Sequence, residues 1–207
     1  MEFHFIISFL VFCFCLAQTG YGDVLFSSLP RTLVISSSTQ QGQVLKAGED
    51  RITVKWGLSE SLRASGADEE YKNVKVSLCY APVSQTDRGW RKTVDNLNKD
   101  KTCQFTIANR PYDASQTNQS YDWTIEKDVP SATFFVRAYA YNSTGIEVAF
   151  GQTTDARKSS NLFEIQGISG RQGSLEIASI CFSAFSVVSL FGFLFLEKRN
   201  NTRLSKN

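Results

Sequence analysis

The chain has a single histidine, His4, and it lies inside an apolar amino-terminal run. With no imidazole after it, the rest of the protein cannot run a Ser-His-Asp or Cys-His mechanism and has no histidine ligand for zinc. No glycine-rich phosphate loop follows a strand-like run, which removes the usual nucleotide site. Charge of one sign is not in excess: 22 Lys and Arg stand against 20 Asp and Glu, so no general attraction to nucleic acid follows. Internal repeats and long low-complexity tracts are absent. The acidic clusters Asp68-Glu69-Glu70 and Asp95 with Asp100 sit in polar stretches and read as solvated loops, not as a catalytic carboxylate pair. No enzymatic activity, cofactor or metal is expected.

Long hydrophobic runs, by contrast, are present at both ends. Residues 177–196 carry no charge over twenty positions and are bounded by Glu176 and by Glu197-Lys198-Arg199. At about 1.5 Å per residue this covers the roughly 30 Å hydrocarbon core of a bilayer, which predicts one membrane-spanning helix. Lys198, Arg199, Arg203 and Lys206 against Glu197 place the tail in the cytosol and everything before the span outside. One helix without an ionisable residue cannot enclose a polar path, so the chain is not itself a channel or carrier. Ser179, Ser183 and Ser186 share one helical face, where they either meet another membrane helix or bond their own preceding carbonyls.

Residues 3–16 are apolar except for His4 and Ser8 and are followed by small residues, the pattern of a secretory signal cleaved after Gly22 or Ala17. The start lacks Lys and Arg, which leaves an uncleaved anchor as the alternative. The expected organisation is a signal at 1–22, an exterior domain at 23–168, a polar linker at 169–176, a membrane helix at 177–196 and a cytosolic tail at 197–207.

Of the five cysteines, Cys13 and Cys15 lie in the signal and Cys181 in the span, so Cys79 and Cys103 are the pair left in an oxidising compartment. A bridge between them closes a loop of about 25 residues and adds about 3 kcal/mol in the chain-entropy model. The sequons at Asn118 and Asn142 are accessible for N-glycosylation, whereas Asn200 matches the pattern on the cytosolic side.

Within the exterior domain the signal is short strands separated by turns. Residues 33–35 and 44–45 read as edge strands. Ile52, Val54, Trp56 and Leu58 alternate with polar neighbours, and Val74, Val76, Leu78 and Tyr80 do the same, so each set faces a core and Cys79 points to the solvent side. Further strands are expected at 105–108, 123–125, 134–141 and 146–152, with 60–70 a loop and Asn142-Ser143-Thr144-Gly145 a turn. Seven or so such strands predict an all-β, immunoglobulin or fibronectin-III-like sandwich with Trp56 in its core. Phe134 stands where such domains usually carry a tyrosine that bonds back to the backbone.

The run LCYAPVSQTDRGWRKTVDNLNKDKTC at 78–103, then VPSATFFVRAYA, AFGQTTD and ISGRQGSLEIASICFSAFSVVSLF, resembles the plant high-affinity nitrate transporter-activating proteins. The resemblance implies a non-catalytic accessory subunit of a multi-span nitrate/proton carrier, needed for that carrier's stability, its arrival at the plasma membrane and its activity. The alternative is an adhesion or ligand-binding receptor, which the eleven-residue tail without tyrosine disfavours. The expected contact is the loop between the two cysteines, with Arg88, Arg91, Lys92, Lys99 and Lys101 mixed with Asp87, Asp95 and Asp100. Trp90, a large ring between Gly89 and Arg91 in a polar run, has the make-up of an interface anchor, with folding back onto the sandwich as the equal alternative. Asp100, held between Lys99 and Lys101, is expected to accept from a basic group on the carrier.

Overall fold

The alternation in ITVKW and VKVSLCY becomes the two inner faces of a sandwich. In the computed structural model, which describes residues 23–169 and 173–204, Ile52, Val54, Trp56 and Leu58 are buried along β3 (Arg51–Leu58), and Val74, Val76, Leu78 and Tyr80 along β4 (Asn73–Tyr80). The expected signal at 1–22 lies outside the described residues. β3 is the centre of a three-stranded antiparallel sheet, with β1 (Leu33–Ser37) on one side and β6 (Gln119–Thr124) on the other. Trp56 fills the space between the sheets, and its indole N–H donates to Gln119 Oε1 at 3.0 Å, so the one polar atom of the ring is satisfied.

The second sheet has six strands. β4 lies between β5 (Cys103–Pro111) and β7 (Ala132–Tyr141), all antiparallel. The far edge of β7 is shared: β8 (Glu147–Gln152) pairs with its second half, and β9 (Phe163–Gln166) with its first. β2 (Val44–Lys46) closes the sheet parallel to β9. The strand at 163–166 was not expected, because it is four residues long and follows the polar run TTDARKSSN. β5 and β6 are also longer than the apolar runs that signal them, since their outer positions carry polar residues. The 60–70 loop contains a short 3-10 helix, Glu60–Ser65, which Gly66 ends at a φ of 67°.

Ser77 and Cys79 are buried, contrary to the expectation that this side of β4 faces solvent. The parity is as expected, but the outer face of the six-stranded sheet is itself covered. Cys79, Ala81 and Phe135, packed with Cys103 and Leu162, form a second apolar cluster there. Cys79 and Cys103 are bridged as directly opposed residues of neighbouring strands, so the bond closes the 80–102 excursion at its base and does not cross the core.

Strand direction gives the domain two poles. Tyr80 faces Phe134, Phe134 faces Phe163, and Ala47 N–H donates to Gln166 O at the end from which the chain leaves at Gly167. At the other end Asn73 faces both Tyr141 and Pro111, and Lys72 O accepts from Tyr112 N–H.

The second unit is one helix, α1 (Gly173–Leu204). It starts inside the expected linker and runs on through most of the expected tail. Its stretch Ser174–Arg199 is long and apolar enough to cross a bilayer, and the large side chains there are exposed. Ser189 donates to the Phe185 carbonyl at 2.8 Å, the back-bonding pattern of a hydroxyl in a membrane helix.

Two substitutions test this packing. A Cβ on Gly151 would stand 2.2 Å from the Leu33 carbonyl oxygen, where β8 approaches β1, so Gly151→Ala should cost about 1–3 kcal/mol in denaturant unfolding by overpacking. Cys79→Ala should cost about 2–5 kcal/mol, with amide exchange rising first in residues 82–102, as expected for a native bridge that closes a loop.

Candidate partner-contact site

The loop leaving β4 is built around hydrogen bonds that its own polar residues make to each other. Pro82–Ser84 forms a 3-10 turn with proline at its first position, where a missing N–H costs nothing. Ser84 is buried, and its hydroxyl accepts the Thr133 N–H at 2.8 Å, which pins the turn to the start of β7. Gln85 donates to the Tyr80 carbonyl and accepts from the Thr93 N–H and hydroxyl. The Thr93 hydroxyl in turn meets Thr102 Oγ1 at 2.7 Å. Asp87 takes a φ of 57°, reversing the chain into a second 3-10 turn, Gly89–Arg91.

That turn sends its two large side chains in opposite directions. Trp90 is 61% exposed, and its carbonyl is held by Gln104 Nε2 at 2.6 Å. Arg91 is only 7% exposed. Its guanidinium lies 4.3 Å from the centroid of the Tyr80 ring, with Nη1 donating to the Ser84 carbonyl at 3.4 Å. Tyr80 stacks on Phe134, so Arg91 caps one end of the sandwich core. Among the described residues its Nε is the one buried side-chain nitrogen or oxygen without a partner. Burial pushes the Tyr80 phenol up, and the Arg91 charge partly offsets this.

These contacts correct two expectations. Arg91 is not displayed for a partner; it is packed under the loop, because a guanidinium on an aromatic face can be buried where an ammonium could not. Asp100 is half-buried, and its Oδ1 accepts from Val94 N–H, Thr102 N–H and Thr102 Oγ1, at 3.2, 3.2 and 2.6 Å. Its carboxylate therefore shapes the loop. It also lines a cleft of about 210 Å³ with Lys75, Tyr139, Tyr141 and Glu147. Arg88, Lys92, Lys99 and Lys101 are exposed, as expected.

A strap that the sequence did not announce ties down the far side of the loop. Ser27 donates from its backbone N–H and its hydroxyl to the two oxygens of Asp95, at 2.8 Å each, and Phe26 N–H donates to the Asp95 carbonyl at 2.7 Å. Leu97 N–H reaches the Val24 carbonyl, and Leu25 pairs with Asn96 in a single antiparallel bridge. The Phe26 ring lies 4.3 Å from the guanidinium carbon of Arg137 and 4.5 Å from the Phe150 ring.

Arg137 is 1% exposed, on the outer face of β7. Its Nε and Nη2 donate to Gln152 Oε1 at 3.2 and 3.0 Å, and Nη1 to the Tyr139 hydroxyl at 3.0 Å. The excursion 153–162 between β8 and β9 is held by Asp155, which accepts from Ser159 and Ser160. Those bonds keep its carboxyl well below the usual carboxylate range. The one sequence signal for this network is an arginine inside the otherwise apolar and aromatic run TFFVRAYAY.

Nothing in this arrangement has the form of a catalytic centre, and among the described residues no group of three or more His, Cys, Asp or Glu is placed to hold a metal. It is a basic, aromatic-tipped loop that starts at the pole of Tyr80 and folds back over the outer face of the larger sheet as far as the cleft it shares with Tyr141 and Glu147.

Residues 26–170 match the family model described as high-affinity nitrate transporter accessory, Ig-like domain. High-affinity nitrate transporter 3.2 of Arabidopsis thaliana is 43% identical over 96% of this chain and 96% of its own length. High-affinity nitrate transporter 3.1 of the same plant is 56% identical over 76% of this chain and 73% of its own length. High-affinity nitrate transporter-activating protein 2.1 of Oryza sativa subsp. japonica is 45% identical over 87% of this chain and 84% of its own. The chain is therefore a member of the high-affinity nitrate transporter accessory family, with an immunoglobulin-like domain and a carboxy-terminal helix long enough to span a membrane.

Proposed function

We propose that this chain is a non-catalytic accessory subunit of a multi-span high-affinity nitrate transporter, binding it through the 82–102 loop and supporting its stability, its delivery to the plasma membrane and its uptake activity. The names of its relatives support the partner. The observation that carries the contact is Trp90, a large exposed ring on a loop held by a disulfide, a buried arginine and a strap. A loop whose backbone is already held before binding loses little conformational entropy on contact, which suits one that carries an interface anchor.

The charge of the partner's surface follows from the loop's own bonding. Asp95 is exposed and hydrogen-bonded by Ser27, while Asp100 is half-buried and held by loop amides. Arg88, Lys92, Lys99 and Lys101 then face outward against the exposed acids Asp87 and Asp95. The complementary carrier surface presents an apolar socket for Trp90 rimmed by carboxylates. Ser179, Ser183 and Ser186 on α1 offer a second contact, with a membrane helix of the carrier. The protein sits in the plasma membrane with its amino terminus outside.

Co-purification of full-length variants with the carrier separates contact from support. Trp90→Ala should leave the thermal midpoint of the domain unchanged and reduce carrier recovery at least tenfold, in the range of an interface anchor worth about 2 kcal/mol. Arg91→Ala and Asp100→Asn should reduce recovery together with a lower midpoint or faster amide exchange in the loop. Full recovery and nitrate uptake with all three variants would put the contact elsewhere, with the serine face of α1 next in line.

A tag after Asn207 should be protected from protease added outside intact cells; its digestion there would overturn the orientation.

A further inference from the structure

Where the 82–102 loop folds back over the larger sheet, the two enclose a cleft of about 210 Å³, with Leu97 and Asp100 on the loop side. Its floor crosses three strands. Lys75 of β4 faces Tyr139 of β7, Ser77 lies two residues further along β4, and Tyr141 of β7 faces Glu147 of β8. At about 4.8 Å per strand, the backbones that carry Lys75 and Glu147 run roughly 10 Å apart.

The polar groups of this cleft are not engaged with one another. Ser77 is 2% exposed, and its hydroxyl has no hydrogen-bond partner among the described residues. No ion pair among the described residues includes Lys75, Asp100 or Glu147, although all three line the same space. Asp100 receives its three loop bonds on Oδ1, which leaves Oδ2 for another donor. The Tyr139 hydroxyl accepts from Arg137 Nη1 and keeps its own proton to donate. Burial pushes that phenol up, and burial with the Glu147 charge does the same for Tyr141, so both stay neutral donors.

A buried or half-buried polar group without a partner costs free energy, which a molecule of matching polarity recovers. The β4 side offers an ammonium and a hydroxyl, whereas β8 and the loop offer two carboxylates. An inorganic anion is repelled by the carboxylates and a simple cation by Lys75, so neither suits the whole cleft. A molecule with a carboxylate at one end and an ammonium at the other suits both. At about 30 Å³ per water, the space is that of roughly seven waters, which limits such a molecule to a few carbons. Leu97 is the one aliphatic side chain in the lining, so a long apolar tail finds no complement.

We infer that this cleft binds a small zwitterionic amino acid, its carboxylate held by Lys75 and Ser77 and its ammonium by Asp100 and Glu147. Because the loop supplies one wall and the sheet the others, the bound molecule ties the loop to β4 and β8. Occupancy then strengthens carrier binding by holding the loop that carries Trp90; this consequence rests on the contact reading given above.

Isothermal titration calorimetry of the purified full chain, without carrier, reads the binding itself. L-Alanine or 4-aminobutanoate, whose charges are separated by different lengths, should bind at a single site with Kd below about 1 mM, and acetate, ethylammonium and nitrate about tenfold more weakly or worse. Ser77→Ala deletes an unpartnered hydroxyl, so it should keep the thermal midpoint and lower affinity about fivefold, and Glu147→Gln should lower it about tenfold. Lys75→Met removes the carboxylate-binding end alone. Its preference should shift from L-alanine to ethylammonium, a change that loosened structure would not produce. If neither amino acid binds saturably, or if none of the three variants alters the binding, the site is overturned and the cleft holds water only.

Carrier recovery tests the coupling. Saturating L-alanine or 4-aminobutanoate should raise recovery with wild type about fivefold and leave it unchanged with Lys75→Met. Trp90→Ala should keep the calorimetric affinity while losing the carrier. If Trp90→Ala keeps the carrier, the contact reading fails and the calorimetry still decides the cleft. If an amino acid binds and recovery does not respond, the coupling is overturned and the site stands.

Discussion

The buried guanidinium of Arg137 is the constraint around which the outer half of the domain is arranged. β7 is the central strand of the larger sheet and is buried on both faces: Phe134, Val136, Ala138 and Ala140 meet the core, while Phe135, Arg137 and Tyr139 point the other way. Taking a cation out of water costs several kcal/mol unless its donors are met. Here the Gln152 carboxamide oxygen, the Tyr139 hydroxyl and the Phe26 ring meet them. That arrangement requires Gln152 at the end of β8, which is where the chain breaks away before returning as β9. It also requires the amino-terminal strap, since Phe26 comes from outside both sheets.

The strap is in turn what holds the contact loop. Ser27 and Phe26 engage Asp95, and the backbone of 24–26 pairs with 95–97. On the opposite side the disulfide and Arg91 fasten the loop to β4 and to the end of the core. A loop of this length would ordinarily be mobile, and ordering it on binding would oppose association. Three independent fastenings remove most of that cost in advance. Arg91 and Asp100 thus belong to the loop's internal support, and what the loop leaves exposed is Trp90 with the bases.

Polarity along the strands organises the rest. The carboxy-terminal ends of β4 and β9 and the start of β7 share one pole, so the contact loop and the departing chain are neighbours by topology and not by sequence. The exposed valines Val44 and Val83 belong to the same region, where Val44, Ser84, Thr133 and Gln166 line an open groove of about 420 Å³. At the opposite pole the turns are polar, and the large rings, Tyr71 and Tyr112, pack on each other.

Much of the fold was legible in the sequence because it rests on local, periodic signals. Period-two alternation determined which residues of β3 and β4 face the core, the placement of Trp56 followed from it, and the uncharged run at 177–196 determined a helix able to cross a bilayer. The cysteine pairing followed from compartment and count alone. Burial of the outer face was not legible, because alternation states which side a residue points to and says nothing of what covers that side. Whether Cys79 and Arg137 meet water or protein depends on segments 50 or more positions away: Leu162 belongs to the cluster around Cys79, and Phe26 lies on Arg137. The same holds for the contact loop: composition identified Trp90, Arg91 and Asp100 together as one polar and aromatic cluster. Only the tertiary structure separated them, because a 3-10 turn directs adjacent side chains apart, and the Tyr80 ring beneath the loop accepts a guanidinium while leaving the indole in solvent.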